Sequence, residues 1–538
     1  MTVTDRRDVA AANQADATDV EGATAVEVGL ASGLAEPLAK SLDAGLAAAL
    51  AAPLESARGR VGPRPLVSTT LPVAAIDPID LFAAARSLGL EAALWFQPAA
   101  DRSIVGIGRA WAVEPGGADR FSEATVAWRA LLADAIGSGF TTDLPEAGLV
   151  LFGGLGFTGR APAKDDPWAP FGPASLVLPS FAMARNDARA ALTVAVGPDQ
   201  DGNLDPEDLE RQWDELARRA RDLRDMARRG PAATPAAPAA PAALRAPTEA
   251  PAAPPEACAL HVTDERPDRA AWDRTVGLFA GAVGRGRIDK VVLARRVVFR
   301  ADADLDVVAA LRHLARTAPE STVFAFVRDG TTFFGATPER LVRTLGRSFE
   351  TVAIAGSAAR GVDGAEDARL ATALLASEKD REEHAVVVDM LRSSLGPIVE
   401  TLNVAETPAI LPLRHVQHLV TPVTGTTRDE VGLLALAQRL HPTPAVGGAP
   451  RDIALALIDE HEGFDRGWYA GPIGWLGADG DGELMVALRC GLVTGTRATL
   501  FAGCGIVADS DPAQEWEESR LKFRTMIAAL DPSEAADR

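Results

Sequence analysis

The stretch IDKVVLARRVVF, residues 288–299, decides how the rest of the chain is read. Val, Leu and Phe crowd it and turn-like residues precede it, so it is expected to form a buried β-strand. Lys290 stands at its head, on the same face as Val292 and Ala294 by strand alternation. An ammonium there has two readings. The stem lies along the strand and carries the charge out to water, or the charge is held inside because a site needs it. The strand alone does not choose between them.

Composition narrows the choice. The chain has 538 residues, a formal charge of −20, 47% hydrophobic residues and three cysteines, Cys258, Cys490 and Cys504. That apolar fraction supports a large core. The acidic balance argues against nucleic acid and anionic membranes as partners. It also means that an anionic substrate needs a locally positive site or a metal ion. Three cysteines without a C-x-x-C spacing suggest neither a disulfide framework nor a zinc site, and a reducing compartment is expected. The N-terminus has no apolar signal-like region and no long apolar run follows, so a cytoplasmic protein is expected. Nothing sets the oligomeric state; a monomer is the default expectation.

Four segments are expected. Residues 1–62 are Ala-rich and acidic and read as a poorly ordered extension. Residues 63–230 look globular, with AALWFQP and SIVGIGRAWAVEP as paired strands and a charged helix over 206–229. Residues 231–257 are a Pro/Ala-rich linker or inserted loop. Residues 258–532 alternate strands and helices and hold nearly all the chemically interesting side chains.

Two acidic helices stand out in this last segment. In SEKDREEHAVVVDMLRSSL, Ser377 is a plausible N-cap with Asp380 at the capping-box position. Asp380, Glu383 and Val387 share a face. In SDPAQEWEESRLKF, Asp511 caps, Pro512 suits the first turn and Gln514 completes the box. Here Glu515, Glu518 and Lys522 share a face. Either helix alone is an ordinary solvated face. Together their carboxylates suit one hard cation such as magnesium, and no His/Cys set suggests zinc. Glu339, after Pro338 in FGATPERL, is a turn glutamate or a site acid. Gly356, Ser357, Gly503 and Gly505 end apolar strands, where backbone N–H groups can approach an anion. Arg489 reads as embedded in the strand MVALRCGLV, where it needs a carboxylate partner. Tyr469, the single tyrosine, and His418 read as structural or as site groups.

KVVLARR, FGATPERL, AIAGSAARG, SEKDREEH, VQHLVTPVTG, LHPTPAVGGAP, RGWYAGPIGW, LRCG, LFAGCGIV and EWEESRLKF occur in the order seen in chorismate-utilising enzymes. The set resembles the isochorismate synthases most closely, densely over 272–530 and loosely over 64–230. The resemblance implies one large α+β domain: two packed, mainly antiparallel sheet layers flanked by helices. It implies magnesium as cofactor and chorismate as substrate. By motif, Lys290 looks like the general base that activates water for attack at C2. Glu339 looks like the acid that protonates the departing C4 hydroxyl. Glu383 and Glu518 look like magnesium ligands, with Asp380 and Glu515 beside them. Tyr469, Arg489, Gly503, Gly505 and Lys522 look like the carboxylate pocket, and Gly356, Ser357, His418 and Ala445 like further lining.

The physical reading agrees with the resemblance. A lysine acts as a base only when neutral, and burial and a nearby cation both favour that form. Relatives differ at readable places. Anthranilate synthases lack a lysine at the place of Lys290. Aminodeoxychorismate synthases carry a lysine where Ala355 stands. Salicylate synthases have a threonine-containing variant of the Ala445 motif. The product is expected to feed menaquinone or catecholate siderophore synthesis. The alternatives are a salicylate synthase and a non-catalytic binding protein.

Overall fold

The strands build two layers, a sheet of thirteen and a sheet of ten among the described residues, and the chain repeatedly switches between them. The computed structural model describes residues 66–138, 144, 146–187, 189–198, 218, 259–412 and 416–531. The extension at 1–62, the Pro/Ala stretch at 231–257 and all but one residue of the charged segment 206–229 lie outside them.

In the larger sheet, the strand Lys290–Ala301 lies between Leu260–Arg266 and Arg497–Ile506, which leads on to Cys490–Thr494 and Thr331–Thr337. In the smaller sheet the order is Val399–Val404, Val416–Thr427, Ser348–Ala359, Arg340–Leu345 and Gly482–Val486. The N-terminal part adds strands to both sheets. Ala92–Gln97 pairs with Thr322–Arg328 in the first, and Val150–Leu155 pairs with Pro472–Gly477 in the second. The expected hairpin of AALWFQP with the next strand is present, with Ala92 opposite Ile107. Among the described residues every strand pairing is antiparallel except that of Val67–Val73 with Ile136–Ser138. The chain is thus an α+β protein in which both halves of the sequence share the same two sheets.

The apolar faces of the sheets pack on each other. Trp95 of the larger sheet meets Trp475 of the smaller edge-on, ring centroids 6.3 Å apart, and Phe326 meets Phe152 at 5.8 Å. All four rings are buried. Two crossings between the sheets carry chemically important residues. The chain leaves the larger sheet after Thr337, passes Pro338 and Glu339, and enters the smaller at Arg340. It returns after Val486 and re-enters the larger sheet at Cys490. The crossings bond to each other, Val486 N–H donating to Glu339 O at 2.9 Å and Ala336 N–H to Arg489 O at 3.1 Å.

Candidate active site

Lys290 is the first residue of its strand and only 8% exposed, so it does not reach out to water. Its stem lies across the neighbouring strand at Gly505. A Cβ there would stand 2.3 Å from Lys290 Cε and 2.8 Å from Nζ, so a glycine leaves the lysine end its present place. The ammonium ends 2.5 Å from Glu383 Oε1.

Glu383 rides on the helix Glu378–Leu395, whose apolar face buries Val387, Val388, Leu391 and Leu395. The predicted cap is present. Ser377 Oγ accepts from Asp380 N–H at 3.3 Å. The Asp380 carboxylate takes the Ser377 hydroxyl rather than its backbone N–H, so the box closes through side chains. This helix presses on the strand Ser348–Ala359 at a bulge, where Gly356 has φ +73° and a Cβ would come within 3.1 Å of Asp380 Cβ. That left-handed, crowded position suits glycine.

The second acidic helix, Pro512–Leu530, begins as expected, the Asp511 carboxylate accepting from Ala513 and Gln514 N–H at 3.0 Å each. Lys522 donates to Glu518 Oε1 and to Gly503 O, both at 2.7 Å. Glu515 accepts from Ser510 Oγ at 2.8 Å. Burial alone would raise the Glu518 carboxyl, but Lys522, Lys290 and Arg489 outweigh it and hold it below its ordinary range. Burial likewise raises Glu515.

Glu339 and Arg489 occupy the two sheet crossings. Burial pushes the Glu339 carboxyl up to about 7, against the pull of Arg489, Lys290 and Lys522. Its carboxyl has no hydrogen-bond partner among the described residues. Arg489 corrects the sequence reading, because it lies between strands rather than within one, at φ +47°. Nor does its guanidinium have the expected carboxylate partner among the described residues. A strained, unpaired arginine beside Glu339 and Tyr469 is a cation kept for something else.

Tyr469 is buried and stacked on Phe501, ring centroids 5.3 Å apart, and its hydroxyl would lie 3.1 Å from a Cβ on Gly503. Burial pushes its phenol up. His418 Nδ1 lies 2.8 Å from Ser357 Oγ. Burial, helped by Arg489 and Lys522, pushes this imidazole down to about 4, so it is neutral at pH 7. Ala445 lies half-buried in the turn between His441 and Gly448, and Ala355 is buried with no polar side chain to offer.

Mutual charge effects tie Lys290, Glu339, Glu383, Glu518, Lys522, Arg489, Tyr469 and His418 into one site. Gly505 lies under the Lys290 stem, Gly503 O accepts from Lys522, Gly356 packs on Asp380 and Ser357 meets His418. Ligand atoms of Cys504, Glu515 and Glu518 come within 4.8 Å of one another. The Cys504 thiol is pushed up by burial and donates to Glu515 O at 3.2 Å. The donors left are carboxylates, which fit a hard divalent cation rather than a soft one.

Sequence reasoning missed Glu462 and Arg466. Both are buried, 2% and 3% exposed, and they pair with each other. They stand in for a missing strand beside Lys290. The segment Gly448–Ala449 pairs only with Lys290 and Val291, and Gly447 O accepts from Val292 N–H at 3.0 Å. Beyond that, Arg466 donates to Val292 O at 2.9 Å and Glu462 accepts from Ala294 N–H at 2.8 Å. Arg466 also holds Val446 O at 2.7 Å, next to Ala445. Their spacing of four in EHEGFDRGW was the available signal.

Two packed sheets with an acid and a cation where the chain passes between them, a buried lysine and two carboxylate-bearing helices accord with a chorismate-utilising enzyme. The chain belongs to that family, since the pattern described as "Chorismate binding enzyme" matches residues 52–531. It is similar to the salicylate biosynthesis isochorismate synthase of Pseudomonas aeruginosa, 37% identical over 468 residues, covering 86% of this chain and 90% of that one. It is also similar to the isochorismate synthase MenF of Bacillus subtilis, 30% identical, covering 86% and 93%. Among solved structures it resembles MenF, the menaquinone-specific isochorismate synthase of Escherichia coli, with a TM-score of 0.67 and 25% identity over 90% of this chain and 100% of that one.

Proposed function

We propose that this chain is an isochorismate synthase, converting chorismate reversibly to isochorismate. One observation carries the reading. A buried carboxyl pushed up to about 7, Glu339, shares a site with a buried lysine and an arginine that has no carboxylate partner among the described residues, in an otherwise acidic protein. Lys290 takes a proton from water as the oxygen attacks C2. The ring double bonds shift, the C4–O bond breaks, and Glu339 gives the departing hydroxyl its proton. One water enters and one leaves, so atoms balance. A general acid works best with a pKa near the operating pH, as Glu339 has. Arg489, Lys522 and the Tyr469 hydroxyl receive the substrate carboxylates, and neutral His418 with Ser357 lines the pocket without adding charge.

Glu515 and Glu518, whose ligand atoms come together, fit a hard cation such as magnesium; the resemblance adds Glu383 as its second ligand beside Glu518, with Asp380 and Glu515 nearby. When bound, it neutralises charge on the substrate carboxylate. Ala445 and Ala355 bring neither a hydroxyl nor an amine, which supports the isomerase over the pyruvate-eliminating and aminating relatives. Cys490 and Cys504 are free thiols, in keeping with a reducing cytoplasm. No helix among the described residues is long and apolar enough to cross a membrane. The test is Glu339→Gln, which keeps the shape but donates no acidic proton. Turnover should fall on the order of 10²–10⁴-fold while chorismate still binds. Loss of binding together with rate would assign Glu339 to substrate contact instead.

A further inference from the structure

We infer that His384 is a positioning residue that sets the metal-binding face of its helix against the pocket strands; the inference rests on the magnesium reading of the carboxylate donors. His384 follows Glu383 directly but points the other way, into the protein, and is 3% exposed. Its two ring nitrogens reach two different strands. Nδ1 lies 3.3 Å from Ala355 O, on the strand Ser348–Ala359. Nε2 lies 2.7 Å from Thr421 Oγ1, on the strand Val416–Thr427. One tautomer satisfies both contacts, with Nδ1–H donating to the carbonyl and Nε2 accepting the threonine O–H.

Ala355 is the last residue in register before the Gly356 bulge, and the next pair in register is Ser357 with His418. The imidazole therefore grips the sheet where the bulge begins. One turn earlier on the helix, Asp380 packs against bare Gly356. Residues 380 and 384 are successive contacts along one helical face, so together they fix both the rotation and the axial register of the helix. Glu383 lies about 100° around the helix from His384, toward Lys290. A small roll of the helix would move Glu383 away from Lys290, its partner in the structure. An apolar residue at 384 would fill the space but would give the helix no directional hold on either strand.

The experiment is titration of the purified full-length chain with magnesium chloride by isothermal calorimetry, with thermal unfolding measured alongside. His384→Ala should weaken magnesium binding about tenfold or more, the size seen when groups supporting a metal ligand are removed. His384→Asn places an amide N–H near the Nδ1 position and should recover most of that loss, whereas His384→Gln should not. Thr421→Val should weaken binding in the same direction by less. These changes should exceed any in chorismate KM at saturating magnesium. A dissociation constant within about twofold of wild type in folded His384→Ala overturns the inference. If that variant does not fold, unchanged binding in Thr421→Val does so. Wild-type protein that binds no magnesium removes the metal reading and this inference with it, a result distinct from binding that ignores residue 384.

Discussion

Gly505→Ala separates the site from the fold. The added methyl would sit 2.3 Å from Lys290 Cε and 2.8 Å from Nζ, whereas ordinary contacts begin at 3.4 Å. The lysine end must therefore move by about 1 Å, which the soft end of a four-carbon stem can do. Nothing in the backbone resists the change, because Gly505 is outside the left-handed region. Alanine there also restricts the unfolded chain, a gain of about 0.4–1 kcal/mol that offsets part of the crowding. The melting temperature should stay within about 4 °C of wild type. Activity should not survive so well. The amine leaves its place 2.5 Å from Glu383 Oε1, and a misplacement of about 1 Å can cost about 10²-fold in rate. The assay is kcat for chorismate turnover, with unfolding followed by circular dichroism. Lys290→Ala supplies the control: if both changes act through the amine, the double variant should be no slower than Lys290→Ala alone. A folded Gly505→Ala protein with kcat within about threefold of wild type would refute the reasoning, since a base displaced by about 1 Å should lose far more.

Four further outcomes rest on the same structure. Glu339 must be protonated to act as acid, so kcat/KM should fall as pH rises through about 7, and a descending limb that persists unchanged in the residual activity of Glu339→Gln would assign it elsewhere. The same shift makes the folded state bind more protons than the unfolded one between 4.5 and about 7, so stability should fall with rising pH in that window; chemical denaturation should show Glu339→Gln with a flatter profile. Glu383→Ala and Glu518→Ala should each raise the magnesium needed for half-maximal activity by at least about tenfold, and full turnover by wild type in excess chelator would contradict the metal site. Glu462→Ala should destabilise the protein by about 3–5 kcal/mol, because it leaves the Arg466 charge buried without its partner, and a loss under about 1 kcal/mol in urea unfolding would show that the pair is not a keystone of the Lys290 strand.

The range of the forces involved explains which features were legible in the sequence. The Lys290 strand and the two acidic helices could be read because their signals are local: an apolar run, a serine or aspartate cap, carboxylates spaced by three. Lys290 itself was placed at the head of its strand, but its burial depends on Gly505, more than two hundred residues away, and no local pattern shows that contact. MVALRCGLV looks like one strand because nearly every residue in it is apolar. It is in fact two, broken at Arg489 where the chain changes sheets, and a sheet crossing has no period to read. Glu462 and Arg466 escaped notice because their main partners are backbone groups of Val292, Ala294 and Val446. His384 was missed for a similar reason, since its partners Ala355 O and Thr421 Oγ1 lie on two strands elsewhere in the sequence. The proposed chemical roles came from the order of ten motifs, and the burial of Glu339 gives a physical reason for the proton the proposal places there.

The central claim is tested most directly by product analysis. Purified full-length protein is incubated with chorismate and magnesium, and the mixture is resolved by chromatography at intervals. Isochorismate should accumulate to a constant ratio with chorismate, the same ratio should be reached from isochorismate, and ammonium should yield no aminated product. Salicylate and pyruvate forming as fast as chorismate disappears, or no turnover at all, would contradict the account.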